Sequence, residues 1–231
     1  MLSFIVAEIG VNWDGDYKLA KKMMNFAKKS GCNAVKFQAF DEKILRNHSQ
    51  KERLLKTSIS KKNIKKIDHI AKSIGIEWFC TPMYPEAVEM LEPYVKRYKI
   101  RFGDSKTIFR TGKSDIFEKI LKTKKEIIIS SKNPPTQKMK NKKIKWLYVV
   151  PKYPCNLSDI NFKDLYKFDG YSNHCPNIVA PLTASILGAE IIEIHITLDK
   201  SKDFIDNNVS FNPDELTELV KLIRLSEKIK K

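Results

Sequence analysis

Apolar residues in this chain follow two alternating rhythms: short runs rich in β-branched residues, and longer stretches where they recur every three or four positions. The first run, residues 5–9, precedes residues 17–29, where Leu19, Met23, Met24, Phe26 and Ala27 fall at helical spacing. Residues 34–40 lead through a polar loop to a helix over 62–73. Residues 76–80 lead to a helix over 85–91, and residues 98–102 to a helix over 115–123. The run 126–130 is followed only by the brief, charged stretch 134–143, and 146–150 by a turn at 159–165. Residues 170–173 precede an apolar helix over 179–187, and 191–197 precede a final helix over 213–229. Eight strand-and-helix units predict an α/β fold, a (β/α)8 TIM barrel, as a single domain over residues 1–231. The rival is an open doubly wound sheet, because strand count does not prove closure; no Gly-rich dinucleotide fingerprint follows the first strand.

Composition narrows the setting. The 231 residues, 42% of them hydrophobic, suffice for one large core. No apolar run approaches the roughly 18 residues of a membrane span, and the N-terminus lacks the basic segment and cleavage site of a signal peptide, so a cytoplasmic protein without a membrane partner is expected. Cys32, Cys80, Cys155 and Cys175 form no CxxC pair and read as free thiols. The formal net charge of +16 invites a nucleic-acid reading. Its lysines, however, are spread over helix-like segments such as 61–66 and 138–143 without a recognition motif, which predicts a solvated surface and no specific nucleic-acid site. The same charge draws phosphorylated small molecules toward a cleft.

In a barrel, polar residues at the C-terminal ends of strands converge on one mouth. Here these are Glu8, Asn12, Lys36, Gln38, Thr81, Lys99, Asp104, Ser130, Tyr153, Ser172, His174 and His195. His174 and His195 each close a short apolar run on neighbouring late strands, where two imidazoles can share one metal ion; satisfied core histidines are the alternative. His48 and His69 need no special role. Lys36 interrupts an apolar strand, which is costly unless an anionic ligand or a carboxylate such as Glu8 pairs with it. Asp206 lies in a loop able to fold over the mouth, although a turn aspartate on the surface has the same sequence signature.

With these residues in order, the chain resembles the N-acetylneuraminate synthase family, the phosphoenolpyruvate-dependent synthases of sialic and related nonulosonic acids. The resemblance runs through residues 7–12, Gly15, 34–38, Thr81-Pro82, 98–100, 171–174, Gly188-Ala189 and 192–199, nearly the whole chain. It implies a transferase joining phosphoenolpyruvate to an N-acyl amino sugar, with phosphate released. It implies that His174 and His195 bind a divalent ion, manganese or else magnesium or cobalt. Lys36, Thr81, Lys99, Ser130 and Ser172 match positions around phosphoenolpyruvate, with Gln38 and Tyr153 beside them in the substrate site. Glu8, Asp206 and Asp104 match catalytic carboxylates. Departures are Trp13 in place of His, Phe102 near the position where the family commonly has a small hydroxyl residue, Ser130-Ser131-Lys132 in place of Ser-Thr-Gly, and Pro151 in place of Asn or Ser. Arg101, Lys132 and Lys152 are candidate replacement donors. Family members usually continue into an antifreeze-like domain that caps the partner subunit's site; with the chain ending at Lys231, the expectation is a barrel without it, working as a homodimer or with a separate capping protein. The competing readings are a divergent metal-dependent sugar-acid aldolase or lyase, and a non-catalytic barrel that binds a sugar or a protein.

Overall fold

Closure of the sheet decides between the two architectures. In the computed structural model, which describes residues 2–139 and 141–229, β1 (Phe4–Gly10) pairs in parallel with β2 (Ala34–Ala39) on one side and with β8 (Ile191–His195) on the other. Between them lie β3 (Glu77–Pro82), β4 (Arg97–Ile100), β5 (Glu126–Ser131), β6 (Ile144–Val149) and β7 (Gly170–Asn173), all in chain order, in a closed eight-stranded barrel. These strands are apolar almost throughout because both faces are covered, the inner by the barrel's own side chains and the outer by helices. Ile127, Ile128 and Ile129 of β5 are successive and all buried.

The outer layer comprises α1 (Tyr17–Lys29), α2 (Lys51–Thr57), α3 (Ile64–Ile74), α4 (Pro85–Leu91), α5 (Phe102–Thr111), α6 (Asp115–Lys122), α7 (Val179–Ile186) and α8 (Pro213–Ile229). Each helix with a regular stripe was legible: α1 buries Ala20, Met23, Met24 and Ala27, and α8 buries Leu216, Leu219, Val220 and Ile223. Trp13 belongs to this layer. Its ring meets Phe37 edge-on and its indole N–H donates to the Thr57 carbonyl at 3.0 Å, so it serves packing and does not face the mouth.

Two helices depart from the sequence expectation. The stretch read as a polar loop contains α2, which buries only Leu54 and Thr57. The fourth unit contains α5 as well as α6, and Phe102 opens α5 instead of ending a strand. The strand stops because Arg101 is the extended N-cap residue (φ −74°, ψ 163°), and α5 escapes a periodicity search because only Ser105 and Ile108 of it are buried. After β5 the described residues make only a 3-10 turn at Gln137–Met139, matching the brief fifth connection. Among the described residues no helix is long and apolar enough to cross a membrane, and all four cysteines are free and buried.

Gly170 shows how tightly β7 and β8 approach. A Cβ added there would lie 2.1 Å from the Ile191 carbonyl oxygen and 2.8 Å from Leu147 Cδ2, and backbone cannot yield as a side-chain tip does. Gly170→Ala is expected to lower unfolding free energy by about 3 kcal/mol or more, since overpacking alone costs ~1–3 kcal/mol. Urea denaturation checks this; a wild-type midpoint in the variant would contradict the register of β7 against β8.

Candidate active site

Period-two alternation aims the polar residues of the strands inward. Lys36 and Gln38 are two apart on β2, and Glu193 and His195 two apart on β8, so each pair shares a face. Together with Glu8, Thr81, Lys99, Ser130 and Ser172 they line a cavity of about 400 Å³ at the C-terminal end of the barrel. Tyr153, His174 and Asp206 complete it from the loops after β6, β7 and β8. Gly10 makes the crowding possible. It ends β1 at φ +51°, and a Cβ there would meet Glu8 Oε1 at 3.0 Å and Asp206 Oδ2 at 3.2 Å.

Four buried ions form the floor. Lys36 Nζ lies 2.7 Å from Glu8 Oε2 and 3.8 Å from Glu193 Oε2, and Lys99 Nζ lies 2.5 Å from Glu193 Oε1. Neutral donors and acceptors complete the network. Lys36 donates to Thr81 Oγ1 at 3.2 Å, Gln38 to Glu8 Oε1 at 2.9 Å, and the Ser172 hydroxyl to Glu193 Oε1 at 2.9 Å. Removing such ions from water costs several kcal/mol each, which their mutual attraction must offset. Burial pulls the Lys36 ammonium down, but Glu193 and Glu8 outweigh it and leave it raised. For Lys99 burial wins over Glu193 and lowers it to about 8. Burial pushes the Glu193 carboxyl up, yet Lys36 and Lys99 hold it well below the usual carboxylate range. The carboxylate partner for Lys36 suggested by sequence is therefore present, inside the cavity where an anionic ligand would also meet it.

Glu193 was not among the residues singled out from sequence, although its signal was there. It interrupts an apolar strand as Lys36 does, at the same parity as His195. The Ser130 hydroxyl, also in the cavity, is buried with no hydrogen-bond partner among the described residues, the usual sign of a donor kept for a ligand.

His195 follows Glu193 by two residues on β8, and its ring centroid lies 5.6 Å from that of His174. Burial, assisted by His195, lowers His174 to about 4, so its imidazole is neutral at pH 7, and its Nδ1 faces the Val150 carbonyl at 3.3 Å. His195 Nδ1 lies 3.4 Å from the Tyr153 hydroxyl and 3.6 Å from Asp206 Oδ2. A carboxylate and a carbonyl that orient the rings from one nitrogen leave the other for a ligand, the arrangement of metal-binding histidines. Among the described residues no group of three or more His, Cys, Asp or Glu is placed to hold a metal, so the protein's share would be two imidazoles.

Asp206 is buried rather than a surface turn. Its backbone N–H donates to Asn12 Oδ1 at 2.9 Å, while Asn12 Nδ2 donates to the Ile196 carbonyl and the Ser210 hydroxyl, both at 3.0 Å, tying the loop over the barrel. Asn12 thus supports the mouth without lining it. Asp104 is the one expected site carboxylate that does not reach the cavity. It sits in the first turn of α5, where Arg101 Nε donates to Oδ2 at 2.9 Å, because the helix start turns residue 104 away while Arg101, Phe102 and Gly103 line the wall. Lys152 pairs with Asp159, and Lys132 lines a neighbouring cavity, so of the replacement cations only Arg101 borders the central one. His48, for which no role was expected, lines the rim.

A closed parallel barrel whose strand ends gather lysines, carboxylates and paired histidines is the architecture of a TIM-barrel enzyme site. The chain belongs to the NeuB family, whose sequence profile matches residues 23–231. It is 31% identical to an N,N'-diacetyllegionaminic acid synthase of Legionella pneumophila, over 99% of this chain and 73% of that protein. It is also 31% identical to the N-acetylneuraminate-9-phosphate synthase of Homo sapiens, over 97% of this chain and 70% of that one. The crystal structure of an N-acetylneuraminic acid synthetase from Leptospira borgpetersenii in complex with citrate superposes with a TM-score of 0.85 and 30% identity, covering 100% of this chain and 85% of the other.

Breaking the floor network from one side should be costly. Glu193→Gln leaves two ammoniums partly unpaired and is expected to lower stability by about 3–5 kcal/mol, whereas Glu193→Gln combined with Lys99→Met should recover part of that loss. Urea unfolding of Glu193→Gln, Lys99→Met and the double variant measures the coupling; strictly additive losses would contradict a direct buried pair.

Proposed function

We propose that this chain condenses phosphoenolpyruvate with the aldehyde of an open-chain N-acyl amino sugar, giving a nonulosonic acid and phosphate, as a cytoplasmic step toward surface glycans. The observation that carries the reading is a cavity with two buried ammoniums and an unpartnered serine hydroxyl on one side and the histidine, tyrosine and aspartate cluster on the other. A small polyanion suits the first side, a polyhydroxylated aldehyde the second.

In this reading Lys36, Lys99, Thr81, Ser130 and Ser172 receive the carboxylate and phosphate, with charge-assisted bonds from the two lysines. Their mutual pairs with Glu8 and Glu193 fix them before substrate arrives, so little reorganisation is needed. The imidazoles of His174 and His195 fit a divalent ion with open coordination positions, manganese being our choice among oxygen- and imidazole-binding metals. When bound, such an ion supplies positive charge to polarise an aldehyde oxygen. C3 of the enol phosphate forms the new bond to the aldehyde carbon, water adds at C2, and cleavage of the C2–O bond releases phosphate and leaves a 2-keto-3-deoxy acid. Glu8 and Asp206 hold acceptor hydroxyls and are the carboxylates available to take up the water's proton. For Asp206, burial raises the carboxyl, but hydrogen bonds from His195 and Tyr153 outweigh it and keep it ionised.

The test is phosphate release from phosphoenolpyruvate across a panel of N-acyl hexosamines with manganese. Release should require the acceptor and match keto acid mole for mole; condensation with pyruvate in place of phosphoenolpyruvate would instead mark an aldolase. A manganese titration followed by calorimetry should give binding to the wild type that the His174→Ala, His195→Ala double variant loses, and equal binding by both would remove the metal assignment.

Anion binding should also depend on pH. The protonated Lys99 is the form that attracts the substrate, and it loses its proton near 8, so phosphoenolpyruvate affinity should fall as pH rises through that value. Lys99→Met should cost about 1.5–3 kcal/mol of binding at pH 7 and remove the inflexion near pH 8. An unchanged profile in the variant would assign the pH dependence elsewhere.

A further inference from the structure

The cations of the central cavity are already matched by carboxylates. Lys36 is held by Glu8 and Glu193, Lys99 by Glu193, and Arg101 by Asp104. Beside it, sharing the wall made by Phe102, lies a second cavity of about 390 Å³ between α5 and the end of β5. Its charge balance is the reverse. Lys106, Arg110 and Lys132 line it, none with a carboxylate within 4.0 Å among the described residues, and no acidic residue belongs to its wall. Lys106 is positioned over the Phe102 ring, with Nζ 4.7 Å from the centroid, and the buried Ser105 and Ser131 lie below the cationic rim.

Three like charges gathered around one concavity repel each other, and an anion placed among them relieves all three interactions at once. A guanidinium and two ammoniums favour a multiply charged oxyanion, because each N–H can take a different oxygen; a monocarboxylate neutralises less and fills fewer donors. The volume also exceeds that of a bare phosphate ion and leaves room for a small organic part. All three cations are exposed at the cavity's edge, and Arg110 also stands in the last turn of α5, where a cation suits the helix dipole.

We propose that this second cavity is a binding site for the phosphate group of a small phosphorylated molecule, separate from the central cavity and separated from it by Phe102. Inorganic phosphate and a sugar phosphomonoester offer the same chemistry, so both serve as probes. Calorimetric titration of the full chain with inorganic phosphate and, in parallel, with a hexosamine 6-phosphate reads the affinity without turnover. A protein that failed to condense phosphoenolpyruvate would still report on this site.

Lys106→Ser combined with Lys132→Ser should weaken binding of the tighter probe by about tenfold or more, in line with loss of two charge-assisted contacts. Lys61→Ser combined with Lys65→Ser removes the same net charge from an exposed face elsewhere and should leave affinity unchanged. Arg110→Ser gives an independent reading from the third cation, and thermal unfolding of each variant confirms that the protein is intact. Equal weakening by both lysine pairs would reduce the effect to overall surface charge. Loss of the same binding in Lys36→Met, or unaltered affinity in the cavity variants, would overturn the site.

Discussion

The structure turns on four ions buried inside a closed barrel. Lys36 between Glu8 and Glu193, and Lys99 against Glu193, could not be tolerated singly in that interior; each is stable because its counter-charges come from other strands. Glu8 is in register with Lys36 on one side and His195 on the other, and Ser172 with Glu193, so the hydrogen-bonding register of the sheet also fixes the geometry of the charges. A one-residue slip of any of these strands would turn its own groups out of the cavity and leave their partners buried without counter-charge. Barrel closure and site assembly are therefore the same constraint seen from two sides.

The fold was legible because strands buried on both faces leave predominantly apolar runs, and because α1, α3, α4, α6, α7 and α8 bury recognisable stripes. The helices α2 and α5 bury little and lie near the mouth, where sequence serves the cavity wall as much as the core. Of the site, Lys36, Glu8 and the histidines stand out as polar interruptions at strand ends. Glu193 carries the same signal within a strand already marked by His195, and it was passed over for its more reactive neighbour. Asp104 is a different case: it follows β4 closely in sequence, but the turn into α5 sets its carboxylate on Arg101, which itself lines the cavity. Nor can sequence alone tell that Asn12 draws Asp206 down onto the barrel from 194 residues away.

The two sides of the cavity have different physical characters, and that difference gives the proposed reaction its direction. The floor is an organised set of paired ions and hydroxyls, suited to a compact anion whose charge must be stabilised without solvent. The rim is built from two imidazoles, a phenol and a carboxylate, at the end of β8 and on the loops beyond β6, β7 and β8, suited to orienting hydroxyls and a carbonyl. Gly10 lets the two meet, since any side chain there would press on Glu8, Gln38 and Asp206 together.

The most direct test follows the oxygen that bridges C2 and phosphorus in phosphoenolpyruvate. Phosphoenolpyruvate labelled with oxygen-18 at that position is incubated with the protein, manganese and an accepted N-acyl hexosamine, and both products are analysed by mass spectrometry. Addition of water at C2 followed by C–O cleavage predicts that the label leaves with phosphate. Label retained in the keto acid would contradict the account, because it would mean that the P–O bond breaks.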